Sequence, residues 1–337
     1  MGNLKYVVDM GSSYTTIYKL GSGVVLREPT VATVSTDGKD KIKALGNEAR
    51  KFIGKTAENS KVVFPVFEGE IVNEKVAGKL LFEFLKKAGA TSFISPVECI
   101  LSMPCGATTE MILKYEKVAS LAGIDKPYFV EAPLLSAIGG RVPVTDTTPF
   151  FIVDMGSGTT NIAVISLDGV IAGFSVNFGI NKITTDIIDY IASEYGVQIG
   201  LLTAERLKKE IGSLDVMDGL TTVVNGRDVE SGTPKAISLH AFDIVMPVRK
   251  YYEKVAELVY SLLSKLPPEV SAEIRHSGIY LSGEGVNVYG IENFFDKKFE
   301  IKINVTENPE YDIALGGGIL LANKKLLKRL ALKKKKQ

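Results

Sequence analysis

Two apolar runs in this 337-residue chain end in the same four residues: Val7-Val8-Asp9-Met10-Gly11-Ser12 and Ile152-Val153-Asp154-Met155-Gly156-Ser157. A buried strand that stops at an aspartate carries a carboxylate at its carboxyl end, and the glycine beside it lets backbone approach an anion with no side chain in between. After the first glycine come Ser12, Ser13 and Tyr14, and after the second Ser157, Gly158 and Thr159, which offer hydroxyls and amides to phosphate oxygens. Asp9 and Asp154 are the candidate magnesium carboxylates, acting mostly through water because this ion keeps much of its hydration shell. One copy alone is better read as a strand and a tight hairpin. Two copies predict related halves, each with a phosphate-sized turn, and a nucleotide with its metal held between them.

The elements that must position these turns follow from periodicity. Strands are expected at 4–9, 15–20 and 23–27, with Gly21-Ser22-Gly23 as the hairpin between the last two. Val76, Leu80, Leu81, Phe84 and Leu85 mark one face of a helix over 74–87. A strand at 98–103, a helix at 109–121, a short strand at 128–131 and a helix over 133–139 complete the first half. The scheme then repeats with strands at 150–154, 161–166 and 170–175 and helices at 179–195 and 203–211. A long helical stretch is expected within 238–266, stopped by Pro267-Pro268, then a strand at 277–282 running into the turn Gly283-Glu284-Gly285. Gly316-Gly317-Gly318 is expected to open the last helix. Strands alternating with helices predict a largely parallel sheet in each half, with ligands at the carboxyl ends of the strands.

The length suits roughly two domains. Charge is nearly balanced, 40 Lys+Arg against 39 Asp+Glu, which gives no reason to expect nucleic acid as a partner. Residues 324–337 hold eight of the basic residues and no acidic one, so a mildly acidic body carries a basic tail. Cys99 and Cys105 provide neither a disulfide framework nor a zinc cluster and read as reduced, buried small residues. No charged-then-apolar leader opens the chain and no apolar run approaches the roughly 20 residues that span a bilayer, so a cytoplasmic protein is expected. Gly54-Lys55-Thr56 looks like the end of a P-loop, but Ala49 stands where that motif needs its first glycine. His240 and His276 are isolated and read as packing or surface residues.

Taken in order, these motifs resemble the five-part signature of the actin-like ATPase superfamily: phosphate loops at 9–16 and 154–160, connecting segments around 131–139 and 312–318, and an adenosine turn at 281–285. Within it the chain looks most like the MreB family of bacterial actins. The similarity spans nearly the whole length, including Arg27-Glu28-Pro29-Thr30-Val31, Phe52-Ile53-Gly54-Lys55-Thr56, Ala163-Val164-Ile165-Ser166-Leu167 and Thr203-Ala204-Glu205-Arg206. The resemblance implies an α/β actin-like fold: two duplicated lobes with ribonuclease H-like mixed sheets, each bearing a smaller subdomain, with ATP and Mg2+ in the cleft. The expected division is 1–32, 75–142 and 311–337 as subdomain IA, 33–74 as IB, 143–182 and 247–310 as IIA, and 183–246 as IIB. Asp9 and Asp154 would flank the metal, Gly11, Ser12, Ser13, Tyr14, Gly156, Ser157, Gly158 and Thr159 would hold the phosphates, and Thr159 would help place the attacking water. Glu205 and Lys208, about one helical turn apart, would reach the ribose and base. As a pair of side chains alone they read better as a solvated helix pair. Gly283, Glu284 and Gly285 would let adenine lie against bare backbone.

The departures from the family pattern bear on chemistry. The first connecting segment of the family reads Ile-Glu-Glu-Pro, its second Glu polarising the attacking water, whereas this chain has Val130-Glu131-Ala132-Pro133. A methyl group cannot orient or deprotonate water, and a positioned general base is worth roughly 10² to 10⁴ in rate. Glu131 survives next door, but neighbours on a strand point to opposite faces. Tyr14 and Asn161 stand where the family usually has Asn and Glu. The expectation is ATP binding with slow or absent hydrolysis, and head-to-tail filaments that persist.

Two segments are candidate membrane contacts at the inner face of the cell membrane. Phe93-Ile94 lies where the family has an apolar inserting loop, although a loop tip folded onto the core reads equally well. The tail combines Lys333, Lys334, Lys335 and Lys336 with leucines expected to line one side of a preceding helix, a pattern suited to an anionic lipid surface. The resemblance implies self-association, an anionic membrane surface and membrane-bound morphogenesis proteins as partners, and a role in cell shape. Plasmid-segregating or division-type actins are the nearest alternatives. A sugar or acetate kinase or a chaperone fits less well, since no stretch is left over for a substrate or peptide domain.

Overall fold

The computed structural model describes residues 4–36, 41–55, 59–90, 96–215 and 219–332. Its centre is a pair of five-stranded sheets with the same strand order. In the first, Lys126–Glu131, Val97–Met103 and Leu4–Met10 run parallel, and Tyr14–Lys19 and Gly23–Pro29 continue the sheet antiparallel. In the second, Ile303–Val305, Ile279–Ser282 and Phe150–Met155 are the parallel strands and Thr160–Ser166 and Gly169–Val176 the antiparallel ones. Even the irregularities repeat, since each antiparallel hairpin slips register once, at Ile17/Tyr18 and at Val164/Ile165. The duplication expected from two short motifs therefore extends to whole sheets.

Strand alternation decides where the motif carboxylates go. Tyr6, Val8 and Met10 face a core built with the helices Glu74–Lys87 and Thr109–Leu121, while Val7 belongs to a second core shared by both lobes. With a side-chain period of two, Asp9 falls on the Val7 side. In the other lobe Phe151, Val153 and Met155 face that lobe's own core and Phe150 and Ile152 face the shared one, which puts Asp154 on the shared side too. Both aspartates thus end their strands facing the gap between the lobes.

The shared core is closed by the helices Ala132–Gly139 and Asp312–Ala322, which cross at backbone contact. A Cβ on Gly139 would lie 1.9 Å from the Asp312 carbonyl oxygen, and one on Gly316 would lie 1.9 Å from that of Leu135. Gly317 and Gly318 meet Val7 and Tyr18 in the same way. The glycine triplet was expected to open this helix; it lies inside it, because close approach rather than a turn is what it serves.

Smaller subdomains extend from each lobe. One holds the three strands Ala32–Ser35, Ile42–Leu45 and Ser60–Val63, the helix Gly46–Arg50, and a hairpin Val66–Phe67/Glu70–Ile71 turned by Glu68 and Gly69, both at positive φ. The other holds the helices Asn181–Tyr195 and Leu201–Ile211 with the strands Val197–Gln198, Thr221–Asp228 and Pro234–His240. The long helix expected within 238–266 runs Val245–Leu263, and ahead of it Ser238 to His240 are extended and paired with Thr221 to Val223. Pro268 then starts a further helix, Pro268–Ser277, since proline suits a first turn whose amides need no partner.

The tail needs a second correction. Lys324–Leu330 is a separate helix capped by the Asn323 side chain, and Leu327 and Leu330 are buried in the shared core. Leu332 donates its amide to the Phe129 carbonyl and packs on the first lobe. The leucines expected to line a membrane-facing side hold the helix to the body instead. Lys333 to Lys336, Phe93 and Ile94 lie outside the described residues. Among the described residues no helix is long and apolar enough to cross a membrane.

Candidate functional site

The two Asp-Met-Gly-Ser turns have one geometry. Gly11 donates its amide to the Tyr14 carbonyl at 3.0 Å, and Gly156 donates to that of Thr159 at 2.9 Å. The turns meet across the gap, where the Ser13 amide donates to Ser157 Oγ at 3.1 Å and Ser13 Oγ to Asn181 Oδ1 at 3.0 Å. Gly158 must be glycine here, since a Cβ would fall 2.1 Å from Ser12 Oγ. The Gly69 hairpin tip closes the contact: its amide donates to Ser12 Oγ at 3.0 Å, and it packs against Thr159. Gly69 was not singled out from sequence, although Glu68-Gly69 between short apolar stretches is a recognisable two-residue turn.

A cavity runs between the lobes in two compartments. One is bounded by both turns together with Asp9, Asp154, Thr159, Asn161 and Ala132. Burial raises the Asp154 carboxyl to about 7, assisted by the neighbouring charges of Asp9 and Asp312 and opposed by the hydrogen bond from Asn161. Asp9 is raised as well, by burial first, with the Ser102 hydrogen bond and Arg27 pulling the other way. One oxygen of each carboxylate is held, Asp9 Oδ1 by Ser102 Oγ at 2.7 Å and Asp154 Oδ2 by Asn161 Nδ2 at 2.9 Å. A buried and a half-buried carboxylate, both of raised pKa, suit a hard divalent cation, which would relieve both desolvation and mutual repulsion. Among the described residues no three His, Cys, Asp or Glu side chains are placed to hold a metal ion together, so the remaining ligands of such an ion would be water and a bound anion.

Glu131 and Ala132 part as the strand becomes a helix. Ala132 faces this compartment, whereas Glu131 Oε1 accepts the Gly106 amide at 2.6 Å, away from the cavity. Asn161 ties the same loop down by accepting the Cys105 amide at 3.1 Å. Cys105 and Cys99 are buried free thiols; burial raises Cys105 to about 12 and Cys99 further.

The second compartment, about 320 Å³, brings Glu205, Lys208, Glu284 and Tyr252 together. Such a volume is within the range of small-molecule sites. Lys208 is lowered by burial and donates to the Ile180 carbonyl at 3.3 Å. Glu205 is engaged by Arg50 at 2.6 Å, and Arg50 also donates to the Tyr14 hydroxyl at 2.6 Å, so a clasp crosses the cleft mouth between the two small subdomains. Gly283 and Gly285 owe their small size to packing, because a Cβ on either would lie 2.5 Å from Met155 atoms. Tyr252 donates to the Gly285 carbonyl at 2.7 Å, and Tyr251 shares a 2.8 Å hydrogen bond with Thr160, so one helix braces both the turn and the second phosphate-type loop. These tyrosines escaped sequence reasoning because an aromatic pair at helical spacing reads as core.

Duplicated sheets with a split cavity at their carboxyl ends define the actin-like ATPase fold. The family description "MreB/Mbl protein" matches residues 4–329, and the chain belongs to the MreB/Mbl family. It is 34% identical over 316 residues to the cell shape-determining protein MreB of Escherichia coli strain K12, covering 92% of this chain and 91% of that protein. It superposes on MreB5 of Spiroplasma citri bound to ADP with TM-score 0.90 and 27% identity, covering 97% and 98% of the two chains. The same MreB5 bound to AMPPNP gives TM-score 0.89. The MamK double helical filament, at 18% identity and TM-score 0.79 over 96% and 99% of the chains, shares the fold.

Proposed function

We propose that this chain binds ATP with Mg2+ between its lobes, assembles head to tail into filaments that govern cell shape, and turns ATP over slowly. The observation that carries the reading is the pair of identical turns facing each other across the cavity with Ala132 at its wall. Asp9 and Asp154 would hold the metal, and the exposed amides and hydroxyls of the turns would hold the phosphates. Thr159 would sit beside the terminal phosphate, Glu205 and Lys208 would reach the nucleoside, and adenine would lie against the backbone of Gly283, Glu284 and Gly285. The four-subdomain division, with the clasp of Arg50 and Glu205 across the mouth, suits a cleft that closes on its ligand. The nucleotides named for MreB5 support the ligand class, and the filament named for MamK supports only the shared fold.

Slow turnover rests on the exchange at Ala132 and on the commitment of Glu131 to the Gly106 amide. Steady-state phosphate release, read beside pelleting with ATP and with a non-hydrolysable analogue, tests it. The wild type should release phosphate slowly and pellet alike with either nucleotide, while Ala132→Glu should raise turnover at least tenfold, part of the roughly 10² to 10⁴ that a positioned base supplies. Fast wild-type turnover abolished by Glu131→Gln would assign the role to Glu131.

Attachment to an anionic membrane, through the Lys333 to Lys336 run or Phe93-Ile94, belongs to the same reading. Its support is now charge alone, about 1 kcal/mol for each basic residue near an anionic surface, because the leucines are committed to the core. Co-sedimentation of full-length and 1–332 chains with anionic vesicles should show the longer chain binding more.

A further inference from the structure

The phosphate-side compartment is short of positive charge. Asp9, Asp154, Glu284 and Glu310 all line it, and among the described residues that do so Arg27 is the one cation. Loop amides supply dipoles but no net charge. A magnesium nucleotide entering four carboxylates would meet repulsion that one well-placed guanidinium could offset.

Arg27 is built for such a position. It lies on the strand Gly23–Pro29, directly opposite Thr16 on the strand that leaves the first turn, so its backbone is fixed by the sheet that fixes the turn. Its guanidinium stacks on the Tyr14 ring at 4.2 Å and lies 5.8 Å from that of Tyr311. Stacking occupies the flat face and leaves the edge donors free. That edge is held by Glu284, and Glu310 lies 3.3 Å away. Both acids border both compartments, so Arg27 stands at their junction. A nucleotide whose base fills one compartment and whose terminal phosphates fill the other must pass this point.

We infer that Arg27 is a phosphate-binding cation that exchanges partners, leaving Glu284 and Glu310 in the empty cleft for the phosphate chain of a nucleoside di- or triphosphate. The inference rests on the nucleotide reading above. Carboxylate and phosphate present the same pair of oxygens to a guanidinium, so the exchange needs little movement. Polyphosphate repels the two glutamates and attracts Arg27, which gives the exchange its direction.

Calorimetry with MgATP and MgADP on the full chain, and ligand-observed NMR with adenosine, test it. Arg27→Gln should weaken both nucleotides roughly tenfold to a hundredfold, as expected for a charge-assisted contact, with adenosine binding unchanged. Arg27→Lys should recover part of the loss, and Glu284→Gln should tighten MgATP in the wild-type background but not beside Arg27→Gln. Equal MgATP affinity of wild type and Arg27→Gln overturns the inference and leaves the nucleotide reading standing. Loss of adenosine along with MgATP also overturns it, since that marks a structural role. If Arg27→Gln does not fold, Glu284→Gln decides: an unchanged MgATP affinity overturns the inference. A wild type that binds no nucleotide overturns both readings.

Discussion

A fully buried carboxyl sits where the lobes join. Asp312 accepts a hydrogen bond from Ser282 Oγ at 2.6 Å, and Ser282 Oγ accepts from Ser136 Oγ at 2.7 Å, so a side-chain relay ties both connecting helices to a central strand. Among the described residues no donor stands within hydrogen-bond geometry of Asp312 Oδ1. Burial raises its pKa, and the negative charge of Glu307 adds to this, while hydrogen bonds from Ser282 and Thr306 oppose it. An acid whose folded pKa is raised gives stability that is complete below the unfolded pKa, 3.8, and declines as pH rises through the folded one. Thermal melts of the nucleotide-free chain should therefore fall as pH is raised from acid towards neutral. Asp312→Asn should fall less steeply; an identical slope would remove Asp312 from the account.

At the scale of elements, the crossing of Ala132–Gly139 with Asp312–Ala322 leaves no room for added bulk. A Cβ on Gly139 would meet backbone rather than a movable side chain, so no rotamer change relieves it. Gly139→Ala should cost about 1–3 kcal/mol or more, as overpacking of a tight core does. Gly219→Ala, whose added Cβ meets nothing within 4 Å, serves as the control. Urea denaturation of both variants checks this, and equal midpoints would mean that the helices can part cheaply. The contact also explains why the glycine triplet misleads a local reading: Gly-Gly-Gly signals a turn by propensity, and only the backbone of the partner helix at Gly316 and the side chains of Val7 and Tyr18 at Gly317 and Gly318 make it a packing surface.

At the scale of the molecule, two lobes that share one core between their sheets are also linked at the cleft mouth by Arg50 and Glu205. Their side chains are 32% and 25% exposed, so the pair is worth about 1 kcal/mol, roughly a fivefold shift in the ratio of closed to open forms. Arg50→Ala should release bound nucleotide a few-fold faster in stopped flow and increase the radius of gyration of the empty chain. Unchanged release would mean that the clasp follows closure without favouring it.

How far the fold was legible follows from which forces are local. The helices Glu74–Lys87 and Thr109–Leu121 were readable to the residue because each joins an amphipathic stripe to a side-chain cap, Asn73 and Thr108. The duplicated turns were readable because glycine and aspartate at a strand end have few other uses, and Ala132 stood out only against the family pattern that the chain resembles. The hairpin Thr221–Asp228/Pro234–His240 was not readable, because its alternating, half-exposed residues acquire a strand's meaning only beside each other. The tail leucines likewise carry an amphipathic pattern that suits a lipid surface and a protein core equally, and packing chose the core. The sequence by itself determined the two halves, their turns and the residue types at each turn. Only the tertiary structure brought Arg27 to the compartment bounded by both turns, sent Glu131 away from it and joined Arg50 to Glu205, because those placements depend on strands and helices far apart in the chain meeting across one cleft.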